Sequence, residues 1–378
     1  MVSLVLGLAM LQQQNIFVGN THDVKGTLED GTGLYWVHGG PTDEPQLSPH
    51  EYGSPPTRQE FYYHTDAYAN VHPESKLGDL RFRVFSQSPM RNQTLGKNVA
   101  FELLVLWRMV REHLNLDHKL IYEEGVVDVY LCEGGEPGGE QAFEPIPGSV
   151  DAEANSIYVY DVAHFDDRME QAREIAHEYG HAVLPPVGGF DGAKGAEYWA
   201  NGNLGEKLFL RWGRDGIAHN TQKEVGFMLT PIVLLDYWVK THVDPLVKAA
   251  AVRPPDSPLL SGTNRAAFDA YQGVVLWCDS IMPPKMFGRS MTLIGSEKAQ
   301  DYVGSAVQAA EEATYSPKIP SYLKEAKNRE GVLTPVSVWI PVGKGTVTGK
   351  FTVLDKKLGW WLVKPFGAIT VKQKPENG

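Results

Sequence analysis

The segment His177-Glu178-Tyr179-Gly180-His181 restricts this chain more than any other stretch of it. It sits inside a run of helical character that Pro185-Pro186 stops, because a residue ahead of proline is pushed out of helical geometry. On a helix, a spacing of four puts both imidazoles on one face, a turn apart, so that both reach one cation. Glu178 is rotated about 100° from His177. It lies beside such a cation without ligating it, placed to accept a proton from a water held there. Zinc suits this donor set and draws the pKa of its water towards about 7. The fold must therefore open this helix face to a cleft and bring in a third ligand, since a catalytic zinc keeps three protein ligands and one free position.

Two acids compete for that third place, Glu197 and Glu206. If one helix carries both, their spacing puts them on roughly opposite faces, and only one can point at the metal. Glu197 shares its face with Ala200, Asn201, Leu204 and Leu208, small and apolar residues suited to packing on the His-bearing helix. Glu206 shares its face with Trp199, Gly202 and Leu210, and its neighbour Lys207 indicates solvent. Glu197 is the expected ligand.

His177-Glu178-x-x-His181, followed by Glu197 within Glu-Tyr-Trp-Ala-Asn, resembles the gluzincin metallopeptidases, a peptidase MA-like group. The resemblance implies Zn2+ held by His177, His181 and Glu197, with Glu178 as general base in the hydrolysis of peptide bonds. It also implies an α+β, zincin-like fold: a twisted mixed sheet over the active-site helix, then a mainly helical lower half. In that fold the strand at Ser156–Val162 would be the sheet edge that pairs with extended substrate. One position departs from the thermolysin type, which has an Asp four residues after the third ligand to orient the first His. Here it is Asn201, whose amide oxygen accepts the same hydrogen bond without charge. Relatives also place a phenol or imidazole donor for the developing oxyanion in the lower half. Tyr271, in Ala-Phe-Asp-Ala-Tyr-Gln-Gly-Val-Val-Leu-Trp, is similar to that helix and is the expected catalytic donor, with His219, Tyr237 and His242 as alternatives; the other reading of Tyr271 is a helix-core tyrosine.

Around this motif the pattern divides the 378 residues into four parts. Residues 1–14 read as a signal-peptide remnant lacking its basic start, or as a buried N-terminal strand, and point to a secreted or extracytoplasmic protein. Residues 15–58, rich in Gly, Pro, Asp and His, read as an extended N-terminal region. The metallopeptidase unit covers 59–330. Its strands are expected at Glu60–Thr65, Leu80–Phe85, Val126–Leu131 and Ser156–Val162, with a helix at Asn98–Leu114 and a loop from Glu133 to Gly148. A second helix is capped by Asp166 or Asp167 and runs to Leu184, and helices then follow from Gly195 to Gln308, broken near Gly213, Arg253–Pro258 and Pro283-Pro284. A small β unit occupies 331–378. On one of its strands, Trp360 and Trp361 face opposite sides, one packing on the catalytic unit and the other partly exposed, where it could stack on sugar.

With 42% hydrophobic and 21% charged residues the chain is an ordinary globular one, and its net charge of -11 argues against a nucleic-acid partner. No internal run is long enough to span a membrane. Cys132 and Cys278 are either two buried thiols or one disulfide. There is no Gly-x-Ser-x-Gly elbow, phosphate loop or Cys-x-x-Cys pair, so the expected partner is a peptide or protein substrate. Two other readings are open: a zinc-containing protein that binds peptide or glycopeptide without turnover, and a cell-surface module whose His pair is coincidental.

Overall fold

The computed structural model describes residues 23–27, 34–69, 79–87, 91–116, 118, 126–145, 153–162, 168–190, 197–218, 230–323, 325–327 and 333–373. The expected signal remnant, the helix caps Asp166 and Asp167, and His219 lie outside them. The fold is α+β, built on a seven-stranded mixed sheet. Strands β1 (Asp23–Thr27), β2 (Leu34–Tyr52), β3 (Thr57–Ala69) and β4 (Asp79–Ser86) are joined antiparallel. After helix α1 (Arg91–Leu114), β5 (Val127–Leu131) adds parallel to β4. Then come β6 (Gly138–Pro145) and β7 (Glu153–Tyr160); β7 lies parallel to β5, and β6 folds back antiparallel on its outer side. The strand order is β1-β2-β3-β4-β5-β7-β6.

The two-residue alternation of strands sorts side chains between two cores. On β5, Val127, Val129 and Leu131 join the main hydrophobic core, whereas Tyr130 belongs to a smaller aromatic cluster with Phe61, Phe85, Cys132 and Tyr158. Asp128 is paired across to β4 by a two-pronged bond from Arg83, at 2.6 and 2.7 Å. The helical face of the sheet is covered by α1 over β2–β4 and by α2 (Arg168–Val183) under β6 and β7. The chain continues through α3 (Asn201–Ala218), α4 (Ile232–His242), α5 (Asp244–Val252), α6 (Arg265–Ile281), α7 (Pro284–Thr292) and α8 (Asp301–Glu312). No helix among the described residues is long and apolar enough to cross a membrane.

Short strands β8 (Glu325–Lys327) and β9 (Leu333–Pro335) pair, and β10 (Val338–Pro341), β11 (Thr346–Lys357) and β12 (Trp360–Lys372) form a three-stranded sheet. This tail shares the main core. Trp277 of α6 donates its indole N–H to Trp339 O at 2.7 Å, and Trp360 donates to Val303 O at 3.1 Å. Trp360 is buried, while Trp361 is half-buried with Lys356 Nζ 3.4 Å above its ring. Cys132 and Cys278 are separate buried thiols.

Within residues 34–58, β2 pairs with β3 from Tyr35↔Ala69 to Tyr52↔Thr57. Pro45 and Pro49 fall within the register shifts between Pro41 and Gln46 and between Leu47 and Glu51. Three expectations need correction. The Gly- and Glu-rich stretch read as a loop contains β6, held by continuous pairing to β7 from Gly138↔Tyr160 to Pro145↔Glu153. Local propensity was overridden by an available sheet edge. In consequence β7 is an interior strand and β6 is the edge. Finally, α3 runs unbroken through Gly213.

Candidate metal centre

Helix α2 brings the two imidazoles together, with His177 Nε2 and His181 Nε2 3.3 Å apart. Glu197 arrives from the connection between α2 and α3, outside either helix. Its carboxylate bridges the pair, Oε1 lying 2.8 Å from His177 Nε2 and Oε2 3.1 Å from His181 Nε2. Ligand atoms of His177, His181 and Glu197 all lie within 4.8 Å of one another, and this group could hold a metal ion. Burial opposes charge on His177, but the Glu197 carboxylate at its Nε2 and the Glu206 carboxylate near its Nδ1 outweigh it and raise its pKa to about 10. Glu197 moves the other way: burial raises it, and the two histidines overcome that and hold it at about 2.

The residues fit zinc on two counts. Two imidazole nitrogens and one carboxylate oxygen are a common donor set for that ion. In addition, Gly202 in the first turn of α3 leaves a cradle in front of them, since a Cβ there would run into His181 Nε2 and lie 2.6 Å from His177 Nε2. The Glu197 side chain is 42% exposed, so the group opens to solvent on that side.

The helices approach closely enough for this because glycine faces glycine. An ideal Cβ on Gly205 would lie 2.5 Å from Gly180 Cα, a distance only hydrogen can occupy. Asn201 opens α3, and its Oδ1 is 2.9 Å from His181 Nδ1, while its Nδ2 donates to His181 O and Leu184 O, both at 3.3 Å. The amide thus supports the second histidine of the motif, not the first as the resemblance implies. Glu197 is also held from α3: Asn203 Nδ2 donates to its Oε1 at 3.4 Å, and Lys207 Nζ donates to Asn203 Oδ1 at 3.2 Å.

Glu178 is 3% exposed, and its Oε2 has no hydrogen-bond partner among the described residues. Strand β6 passes directly over it, where a Cβ on Gly139 would be 2.7 Å from Glu178 Oε1. Burial raises its pKa to about 8; the His177 charge lowers it, and Glu174, Glu197 and Glu140 add to the rise. A buried carboxyl with its pKa shifted towards neutrality is a functional-site candidate.

Glu206 does not face solvent. It is 4% exposed, accepts from Arg173 Nε at 2.6 Å and stands 3.7 Å from His177 Nδ1. The expectation failed because Glu197 precedes α3, so the two acids do not share one helix and their angular separation does not apply. Gly202, one turn before Glu206, was the sequence sign that this face meets another helix; Asn203 left no such sign.

Tyr271 is not brought to the centre. It is 0% exposed, its hydroxyl has no hydrogen-bond partner among the described residues, and its ring packs near Phe190 and Tyr302. A phenol enclosed in the core cannot meet a substrate, so its expected part as oxyanion donor is corrected to that of a core residue. Of the alternatives, Tyr237 is exposed on α4, and His242 stacks on Trp238 of the same helix. Comparison with protein-family models, with curated proteins and with solved structures finds no match to this chain.

Proposed function

We propose that this chain is a zinc-dependent metallopeptidase of gluzincin type, with His177, His181 and Glu197 as ligands and Glu178 as general base. The observation that carries the reading is the Glu197 carboxylate bridging two imidazoles one helical turn apart, with a buried, half-unpartnered Glu178 alongside. When bound, zinc supplies Lewis acidity that polarises the scissile carbonyl and acidifies water. Glu178 takes a proton from the attacking water and returns it to the leaving amine.

The sheet supports a zincin-like reading as well. Strand β6 is an antiparallel edge lying over Glu178, and an extended peptide adding to that edge would run its backbone past the general base. Gly138-Gly139 at this point keeps the strand free of side chains that would fill the space.

The test compares metal content with turnover. Glu178→Gln should keep near-stoichiometric zinc by elemental analysis and lose nearly all cleavage of a peptide library, because an amide cannot accept the water proton. A His177→Ala, His181→Ala double variant should lose both. Wild-type protein that holds zinc and cleaves nothing across the library identifies a non-catalytic peptide-binding protein instead.

A further inference from the structure

Helices α2 and α3 run antiparallel, so that α3 retraces α2 in reverse. Asn201 meets His181, Gly205 meets Gly180, and Glu206 meets Arg173 and His177. The backbone contact at the two glycines prevents sliding, which fixes where Glu206 falls. A carboxylate buried this deeply needs compensation. Arg173 gives it through Nε, and is itself anchored by Nη1 bonds to Glu170 at 2.8 and 2.9 Å. His177 therefore has a carboxylate on each side, Glu197 at Nε2 and Glu206 towards Nδ1. At His181 the Nδ1 side meets the uncharged Asn201 Oδ1, 2.9 Å away.

We propose that Glu206, locked by Arg173, is the positioning carboxylate of His177, and that it supplies this centre with the charged support that Asn201, directed at His181, does not. The inference rests on reading the His177, His181 and Glu197 group as a metal centre. A negative charge beside Nδ1 favours the proton on that nitrogen and leaves the Nε2 lone pair for a cation. Arg173 Nε, 2.6 Å from Glu206 Oε1, sets a guanidinium charge against the buried carboxylate.

The experiment measures zinc affinity of the full-length chain by chelator competition, with circular dichroism of each metal-free variant as the folding control. Glu206→Gln should raise the zinc Kd about 10- to 100-fold, the usual effect of losing a partner of a metal-bound histidine. Combined with Asn201→Ala its effect should multiply, because the two act through different histidines. In a His177→Ala background it should add almost nothing, because its target is gone. An unchanged Kd in the single variant overturns the proposal, and so does an equal loss in the His177→Ala background, which would make Glu206 merely structural. If Glu206→Gln does not fold, Arg173→Lys keeps the charge and removes the fork, and a Kd rise that vanishes in the His177→Ala background supports the proposal equally. Wild-type zinc binding no tighter than that of the His177→Ala, His181→Ala variant would instead sink the metal centre itself.

Discussion

Glu102 of α1 is enclosed in the main core, where Gln171 Nε2 of α2 donates to its Oε2 at 3.1 Å and Arg168 donates in turn to Gln171 Oε1 at 3.0 Å. Its Oε1 has no partner. Burial raises its pKa well above the ordinary 4.5, and the Gln171 bond and Arg168 recover only part of that. The folded chain therefore binds this proton more tightly than the unfolded chain. The stability it confers is complete below about pH 4.5 and is lost as pH rises through the folded pKa, by at most about 1.4 kcal/mol per pH unit. Glu102→Gln, which resembles the neutral acid, should flatten that slope and leave the variant more stable than wild type at alkaline pH. Urea unfolding of both proteins at pH 5 and pH 8 checks it. At this scale the sequence was legible wherever spacing carries chemistry: His177, Glu178 and His181 need only a helix to converge. Glu102 and Glu206 were not legible, because a buried acid is recognised by what surrounds it, and those neighbours come from another helix.

Among the elements, the contact between α2 and α3 sets the geometry of everything at the centre. A methyl group on Gly205 would meet Gly180 Cα at 2.5 Å and Ala176 O at 3.1 Å, and backbone atoms of a packed helix cannot give way. Gly205→Ala should cost roughly 1–3 kcal/mol by overpacking, against a gain of about 1 kcal/mol in helix propensity, and should weaken zinc binding as Asn201 and Glu206 move with α3. Thermal unfolding of the metal-free variant separates the first effect from the second; a raised melting temperature would refute the contact. Helices and β-branched strands were readable from periodicity, as α1, β5 and β7 demonstrate. Strand β6 was hidden, since Gly-Gly-Glu-Gln-Ala-Phe-Glu-Pro has neither apolar alternation nor β-branched residues and owes its form to the exposed rim of β7.

Over the whole molecule, the tail and the helical half form one core, although composition marks the tail as a distinct β unit. Removing residues 331–378 would uncover Trp277 and strip Tyr315 of its paired bonds to Val371, at 2.8 and 3.0 Å, and of Pro341 O at 2.7 Å. The shortened chain should aggregate or bind a hydrophobic dye where the full chain does not, and a soluble, cooperatively unfolding product would refute this. The centre is organised otherwise. The candidate ligands His177, His181 and Glu197 and the residues that hold them fall between Arg173 and Lys207, and Glu197 reaches His181 across 16 residues. Closing a loop of that length costs about 2.5 kcal/mol of chain entropy. It needs no strand from distant sequence. Opening the bridge is therefore expected to leave the seven-stranded sheet assembled, and amide exchange around Glu197 should be faster than exchange in β5 and β7.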